Sequence, residues 1–209
     1  MVIQNIIDKV KNHSPKMLDS DQFRAYAILI PLISIDNETH ILFEVRSKQL
    51  RNQPGEICFP GGRIDTDDLD AKAAAIRETS EEIGIDSIDI QQVFPLDYLI
   101  QPIEGRTIYP FIGLIKENIQ LNPNHDEVEE LFTVPLAHFL QQKPEKHTLR
   151  FNIVPDQNFP FHLIQGGENY PWKTRSIIEY FYFYKQYCIW GLTAKILNHF
   201  TTIIENDPK

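Results

Sequence analysis

Residues 62–85, GRIDTDDLDAKAAAIRETSEEIGI, constrain this chain more than any other stretch. The second half predicts a helix on which Glu78, Glu81 and Glu82 fall three and four residues apart, with Arg77 beside them. The first half follows Phe59-Pro60-Gly61-Gly62, a tight glycine turn that feeds the helix. Like charges at this spacing destabilise an isolated helix by roughly 0.2–0.5 kcal/mol per pair, and a bound cation reverses that sign. Apolar and small residues at intervals of three and four predict that Leu69, Ala73, Ile76, Ser80 and Ile83 face the core. Gly84 is placed to stop the helix. Taken alone, the glutamates read first as a solvated helix face. The glycine turn shifts the balance to a site for a hard divalent ion, Mg²⁺ or Mn²⁺, held against a phosphate. Such a site points to hydrolysis of a diphosphate bond.

Around this segment the pattern alternates between strands and helices. Residues 3–10 read as a short amphipathic helix that Pro15 terminates. Residues 25–35, AYAILIPLISI, read as a buried strand, and residues 40–46 return beside it after the Asp36-Asn37 turn. Strand-like runs recur at 88–99 and 109–115. Residues 129–139 run from a strand or loop into a helix near Leu136. Residues 151–171, rich in Pro and Gly, read as strands and turns, and residues 176–204 as a closing helix. A mixed sheet between helices in a single domain spanning 1–209 fits this order and the chain length.

Charge excludes some partners. The net charge of −9 repels nucleic acid, and no basic stripe with interleaved aromatics offsets it. A phosphorylated substrate therefore needs local compensation, and Arg46, Lys48, Arg51 and Arg63 form the densest basic stretch near the acidic helix. Arginine suits bidentate phosphate contacts. On charge alone these four read as ordinary residues of an edge strand and its loop. The two cysteines, Cys58 and Cys188, make no disulfide framework and read as reduced, buried thiols. No run reaches the ~18 apolar residues of a membrane span, no signal-peptide core appears, and the C-terminal Asp-Pro-Lys is not a peroxisomal tripeptide. A cytoplasmic protein is expected. The oligomeric state is left open, a homodimer included. The histidines show no metal-ligand spacing.

The segment resembles the Nudix box, Gly-x5-Glu-x7-Arg-Glu-apolar-x-Glu-Glu-x-Gly-apolar. Residues 77–85 match its second half, with Thr79 at an apolar position. Asp68 stands where the box carries its first Glu, one residue further from Arg77 than usual. Upstream, Leu42-Phe43-Glu44-Val45-Arg46-Ser47, then Arg51, Gly55 and Phe59-Pro60-Gly61-Gly62, resemble the extended signature of the coenzyme A pyrophosphatase branch. Phe43 and Glu44 depart from its Leu-Thr.

The resemblance implies the Nudix fold, α/β (α+β), and hydrolysis of coenzyme A, or of its acyl or oxidised forms, to 3′,5′-ADP and 4′-phosphopantetheine. It implies that Glu78 and Glu82 hold Mg²⁺ or Mn²⁺ with help from the backbone at Gly61 or Gly62. Glu81 would then serve as a further ligand or as a base, and Arg77 would orient Glu78 or Glu81. Arg46 and Arg51 would contact phosphate. Asp126-Glu127-Val128-Glu129-Glu130 resembles an acidic element of the family, so Glu127 is either an extra ligand or base or part of a solvated stretch. Ile189-Trp190-Gly191-Leu192-Thr193-Ala194 resembles a C-terminal element of the branch and reads as packing. Another Nudix specificity, such as ADP-ribose or NADH, and a catalytically silent nucleotide-binding module are the alternatives.

Overall fold

The computed structural model describes residues 2–206. Along the chain come α1 (Ile3–Lys11), β1 (Arg24–Ile35), β2 (Glu38–Arg46), β3 (Ile57–Cys58), β4 (Gly61–Arg63) and α2 (Ala71–Ile83). Then follow β5 (Ile90–Pro95), β6 (Leu99–Gln101), β7 (Arg106–Ile115), β8 (Val128–Pro135), α3 (Leu136–Gln141), β9 (Glu145–Phe151), β10 (Arg175–Tyr184), β11 (Tyr187–Trp190) and α4 (Gly191–Glu205). β1 to β8 form one mixed sheet with the central order β3-β2-β1-β7-β5, and β9 to β11 form a second, three-stranded sheet. β7 runs parallel to β1 from Arg24↔Arg106 to Leu32↔Leu114, while β2 is antiparallel to β1 and to β8.

Successive side chains on a strand point to opposite faces, and both faces of the large sheet are apolar. Ala27, Leu29 and Leu42 pack on one face against Ala74, Ala75 and Ile83 of α2. Ile30, Ile41 and Phe43 pack on the other against Phe139, Ile189, Leu197 and Phe200. Each large side chain so buried contributes about 1.5–3 kcal/mol, which fixes α2 and α4 on opposite sides of the sheet. This is the mixed sheet between helices that the sequence implies. Asp70 caps α2 by accepting a hydrogen bond from Ala73 N at 2.8 Å, and Gly84 ends it with φ 68°.

Several expectations are corrected. Residues 175–190 form the hairpin β10–β11, and only residues 191–205 form the closing helix. The run Ile177-Ile178-Glu179-Tyr180-Phe181-Tyr182-Phe183-Tyr184 is β-branched and aromatic, which suits a pleated surface. Lys185 takes a positive φ in the two-residue connection between Tyr184 and Tyr187. The buried face of α2 is Ala74, Ala75, Thr79, Glu82 and Ile83. Leu69 precedes the cap and is 93% exposed; the run of three alanines hid the true stripe. No strand lies between residues 152 and 174, where two short 3₁₀ turns stand instead. Cys188 points outward from β11 beside the buried Ile189 and is exposed; both cysteines are free. α1 forms as expected and buries none of its residues. Among the described residues no helix is long and apolar enough to cross a membrane.

Candidate active site

Where β1 and β2 diverge, β4 pairs with β1 through Ile28↔Gly61 and Ala27↔Gly62, and the glycine turn comes to lie under α2. The close approach explains both glycines. Gly61 has φ 146°, and a Cβ there would strike the carbonyl oxygen of Ala27 and stand 2.6 Å from Ile28 Cα. A Cβ on Gly62 would instead strike the carboxyl group of Glu78. Gly61 N donates to Glu82 Oε2 at 2.7 Å. The turn thus seats Glu78 and Glu82 side by side at the edge of a cleft of about 750 Å³.

Other walls of the cleft carry Arg46 from β2, Cys58 from β3, Glu127 from the segment before β8, and Trp190 from β11. Backbone hydrogen bonds fix Glu127: Asn124 N donates to Glu82 O, Glu127 N to Asn124 O, and Ser47 N to Glu127 O. The loop is stitched both to α2 and to the end of β2. Trp190 is 44% exposed on the cleft wall and stacks on Phe181 at 5.9 Å, so this motif does more than fill the core.

Arg77 stands at the hub of a separate ion network. Its Nε and Nη2 both donate to Asp68 at 2.9 Å, and its Nη1 reaches Glu78 Oε1 at 3.0 Å and Glu81 Oε2 at 3.3 Å. Asp68 also accepts from Asp65 N at 2.8 Å. The Arg77 hydrogen bonds lower the Asp68 pKa to about 2. The box position occupied by Asp68 therefore clamps Arg77, and Arg77 orients Glu78. Glu81 lies toward Arg77 and Asp68, in a shallow hollow away from the cleft that holds Glu78 and Glu82. Arg51 is exposed and stands outside the cleft lining, whereas Arg46 lines it with a buried Nε that has no hydrogen-bond partner. Of the expected residues, the cleft gathers Glu78, Glu82, Gly61, Gly62, Arg46 and Glu127, but neither Glu81 nor Arg51.

Sequence reasoning missed Glu44. Alternation on β2 puts it on the same face as Leu42, the face that α2 covers. It is 1% exposed, its Oε1 accepts from Cys58 Sγ at 3.0 Å, and its Oε2 has no partner. Burial holds Glu44 and Glu82 well above the usual carboxylate range, and Glu44 pushes Glu82 higher still. Burial also raises Glu78, against the pull of Arg77. A glutamate inside the apolar run His40-Ile41-Leu42-Phe43-Glu44-Val45 was the available signal.

The described residues include no three His, Cys, Asp or Glu side chains already gathered around one point. Even so, they fit a hard divalent ion. The donors are carboxylate oxygens and turn carbonyls, Glu78 and Glu82 line one cleft, and behind Cys58 the Oε2 of Glu44 is orphaned. A cation would relieve the cost of burying such charges.

The NUDIX domain family model matches residues 24–157. The chain is 31% identical to the peroxisomal coenzyme A diphosphatase of Mus musculus, over 93% of this chain and 78% of that protein. It is 32% identical to a Nudix hydrolase of Photorhabdus laumondii, over 88% of this chain and 86% of that one. A crystal structure of a MutT/nudix family protein from Enterococcus faecalis superposes with a TM-score of 0.51 at 12% identity, over 99% of this chain and 70% of that chain, a likeness of fold.

Proposed function

The chain belongs to the Nudix family and is a Nudix pyrophosphohydrolase, and from that premise we propose that it hydrolyses the diphosphate bond of coenzyme A. Members of the family use divalent metal ions. Glu78 and Glu82 would hold the ion here, with the backbone of the Gly61-Gly62 turn beside them. When bound, Mg²⁺ or Mn²⁺ supplies activation of water and neutralisation of charge on the leaving phosphate.

The chain's own residues do the rest. Arg77, clamped by Asp68, fixes the orientation of Glu78. Gly61 N holds Glu82. Glu127, which lines the same cleft, would take a proton from water. Arg46 offers its unpaired Nε to a phosphate oxygen, and Trp190 and Leu192 supply an apolar wall for the organic part of the substrate. Catalysis of this kind depends on positioning and charge stabilisation.

The observation that carries the reading is the meeting of Glu78, the buried Glu82 and an unpaired arginine nitrogen in one cleft. The likeness to a relative named a coenzyme A diphosphatase directs it to coenzyme A. Incubation with coenzyme A, ADP-ribose or NADH and Mg²⁺ or Mn²⁺, with products separated by chromatography, tests it. Release of 3′,5′-ADP from coenzyme A is expected. Turnover of ADP-ribose or NADH with coenzyme A untouched would refute the substrate assignment. The name of the Mus musculus relative places that protein in the peroxisome, whereas the sequence reading favours the cytoplasm for this chain. A fluorescent fusion imaged beside a peroxisomal marker separates the two.

A further inference from the structure

Among the described residues lining the cleft, six are glutamates and only Arg46 and Arg106 are cationic. A polyanionic substrate entering so acidic a cleft needs each positive charge it holds. Coenzyme A brings two separate anionic groups, the diphosphate and a monoester phosphate on its ribose, the latter with close to two charges at neutral pH. A metal ion at Glu78 and Glu82, together with Arg46, serves the diphosphate. The monoester phosphate is left with Arg106.

The strands place Arg106 for that task. β7 turns Arg106 and Ile108 to the face away from α2, beside Tyr26 and Ile28 of β1, and all four line the cleft. Arg106 pairs with Arg24, three residues along β1 from Ala27, the partner of Gly62. Three residues at about 3.3 Å and two strand spacings of about 4.8 Å put the Arg106 backbone roughly 14 Å from the glycine turn. That leaves room for a ribose between a phosphate on the Arg106 side chain and a diphosphate at the turn. The guanidinium is already aimed: Nε donates to Gln101 Oε1 at 2.6 Å, and Nη2 meets Glu104 Oε2 at 2.5 Å. Gln101 faces Arg106 across the β6–β7 ladder and is a neutral anchor. Glu104 stands on the connecting turn with its side chain half exposed, and an ion pair so exposed is worth little. A phosphate can therefore take the place of the Glu104 carboxylate on a guanidinium that Gln101 keeps in position.

We infer that Arg106 is a specificity-determining residue that binds the 3′-phosphate of the substrate, at a subsite apart from the one that holds the diphosphate. The inference rests on the reading that this cleft hydrolyses coenzyme A. It makes the enzyme selective for a diphosphate that carries a second phosphoryl group on its ribose, so coenzyme A is preferred to dephospho-coenzyme A, which lacks only that group.

Steady-state kinetics with coenzyme A and dephospho-coenzyme A at saturating Mn²⁺ test this in wild type, Arg106→Ala, Arg106→Gln and Arg106→Lys, each with its Tm. Calorimetric titration of the same proteins with 3′,5′-ADP and with 5′-AMP gives a readout that needs no turnover. Wild type is expected to favour coenzyme A in kcat/KM by roughly ten- to a hundredfold, the worth of a charge-assisted hydrogen bond, with most of the difference in KM. It should favour 3′,5′-ADP over 5′-AMP in affinity to a similar degree. Both ratios should collapse toward one in Arg106→Ala and in Arg106→Gln, which keeps much of the side-chain bulk and serves if Arg106→Ala folds poorly. Arg106→Lys should restore part of each. A preference for coenzyme A that survives in folded Arg106→Ala and Arg106→Gln would overturn the role of Arg106 and leave coenzyme A as the substrate. Equal kcat/KM for both substrates in wild type would overturn the 3′-phosphate subsite while diphosphate hydrolysis stands. Turnover of neither would overturn the proposed function, and equal affinity of wild type for 3′,5′-ADP and 5′-AMP would then overturn the subsite as well.

Discussion

Replacing each of the two adjacent glycines by alanine should separate fold from function. At Gly61 the new Cβ meets backbone, the Ala27 carbonyl and Ile28 Cα, and φ is 146°. Strain at such a conformation costs on the order of 1–3 kcal/mol, and overpacking against a strand that cannot yield adds about 1–3 kcal/mol. The total is roughly 2–6 kcal/mol. At about 2–4 °C per kcal/mol for a chain of this size, Gly61→Ala should lower Tm by at least about 4 °C. At Gly62 the Cβ meets only the end of the Glu78 side chain, which can swing aside, and φ is not left-handed. The gain of about 0.4–1 kcal/mol from a stiffer unfolded chain offsets the disturbance, so Tm should stay within about 2 °C of wild type. Activity should still collapse, because a carboxylate misplaced by about 1 Å can cost about 10²-fold. Scanning calorimetry and initial rates of coenzyme A hydrolysis read the two effects. A Gly62→Ala enzyme with wild-type kcat would refute the claim that this close approach seats Glu78, and a Gly61→Ala protein melting with wild type would refute the packing argument.

Three further outcomes are expected. Arg46→Ala should raise KM for coenzyme A by roughly ten- to a hundredfold, the worth of a charge-assisted hydrogen bond of about 1.5–3 kcal/mol; Arg51→Ala, an exposed residue outside the cleft lining, should change it less, and equal effects in steady-state kinetics would contradict the geometry. Glu81→Gln should cost less than tenfold in kcat, since Glu81 lies toward Arg77 rather than the cleft, and a loss as deep as that of Glu82→Gln would place it among the ligands. The Asp68 pKa is depressed to about 2, below its unfolded value, so the Asp68–Arg77 pair stabilises the fold above pH ~4 and loses its contribution as pH falls toward 2; the Tm gap between wild type and Asp68→Asn should be widest at pH 7 and close on acidification, and a gap independent of pH would show that the pair is not its source.

Local signals read well where one rule acted alone. The β1–β2 pair, the α2 start and the Gly84 stop followed from apolar runs, a turn and a cap. Residues 175–190 failed because aromatic residues spaced along a hairpin also satisfy a helical period, and the deciding partner, β9, lies over twenty residues earlier. The α2 stripe failed because small residues fit either face, and only packing on Leu29 and Leu42 selects one. The candidate site was legible in its glycines, in Glu78 and Glu82, and in Arg46. Glu44 was not, since nothing in the local pattern of a strand tells that packing will seal its carboxylate from water. Glu81 illustrates the reverse case: helical spacing put it beside Glu82, but Arg77, fixed by Asp68 from a loop, draws it away.

The most direct test of the account is the rate of 3′,5′-ADP release from coenzyme A by Glu82→Gln, measured with saturating Mn²⁺ against wild type with and without EDTA. The substitution is isosteric and keeps an acceptor for Gly61 N. The account predicts an intact Tm, abolition of wild-type turnover by EDTA, and a loss in kcat of about 10²-fold or more for Glu82→Gln. A folded Glu82→Gln enzyme that releases 3′,5′-ADP at near the wild-type rate would contradict it.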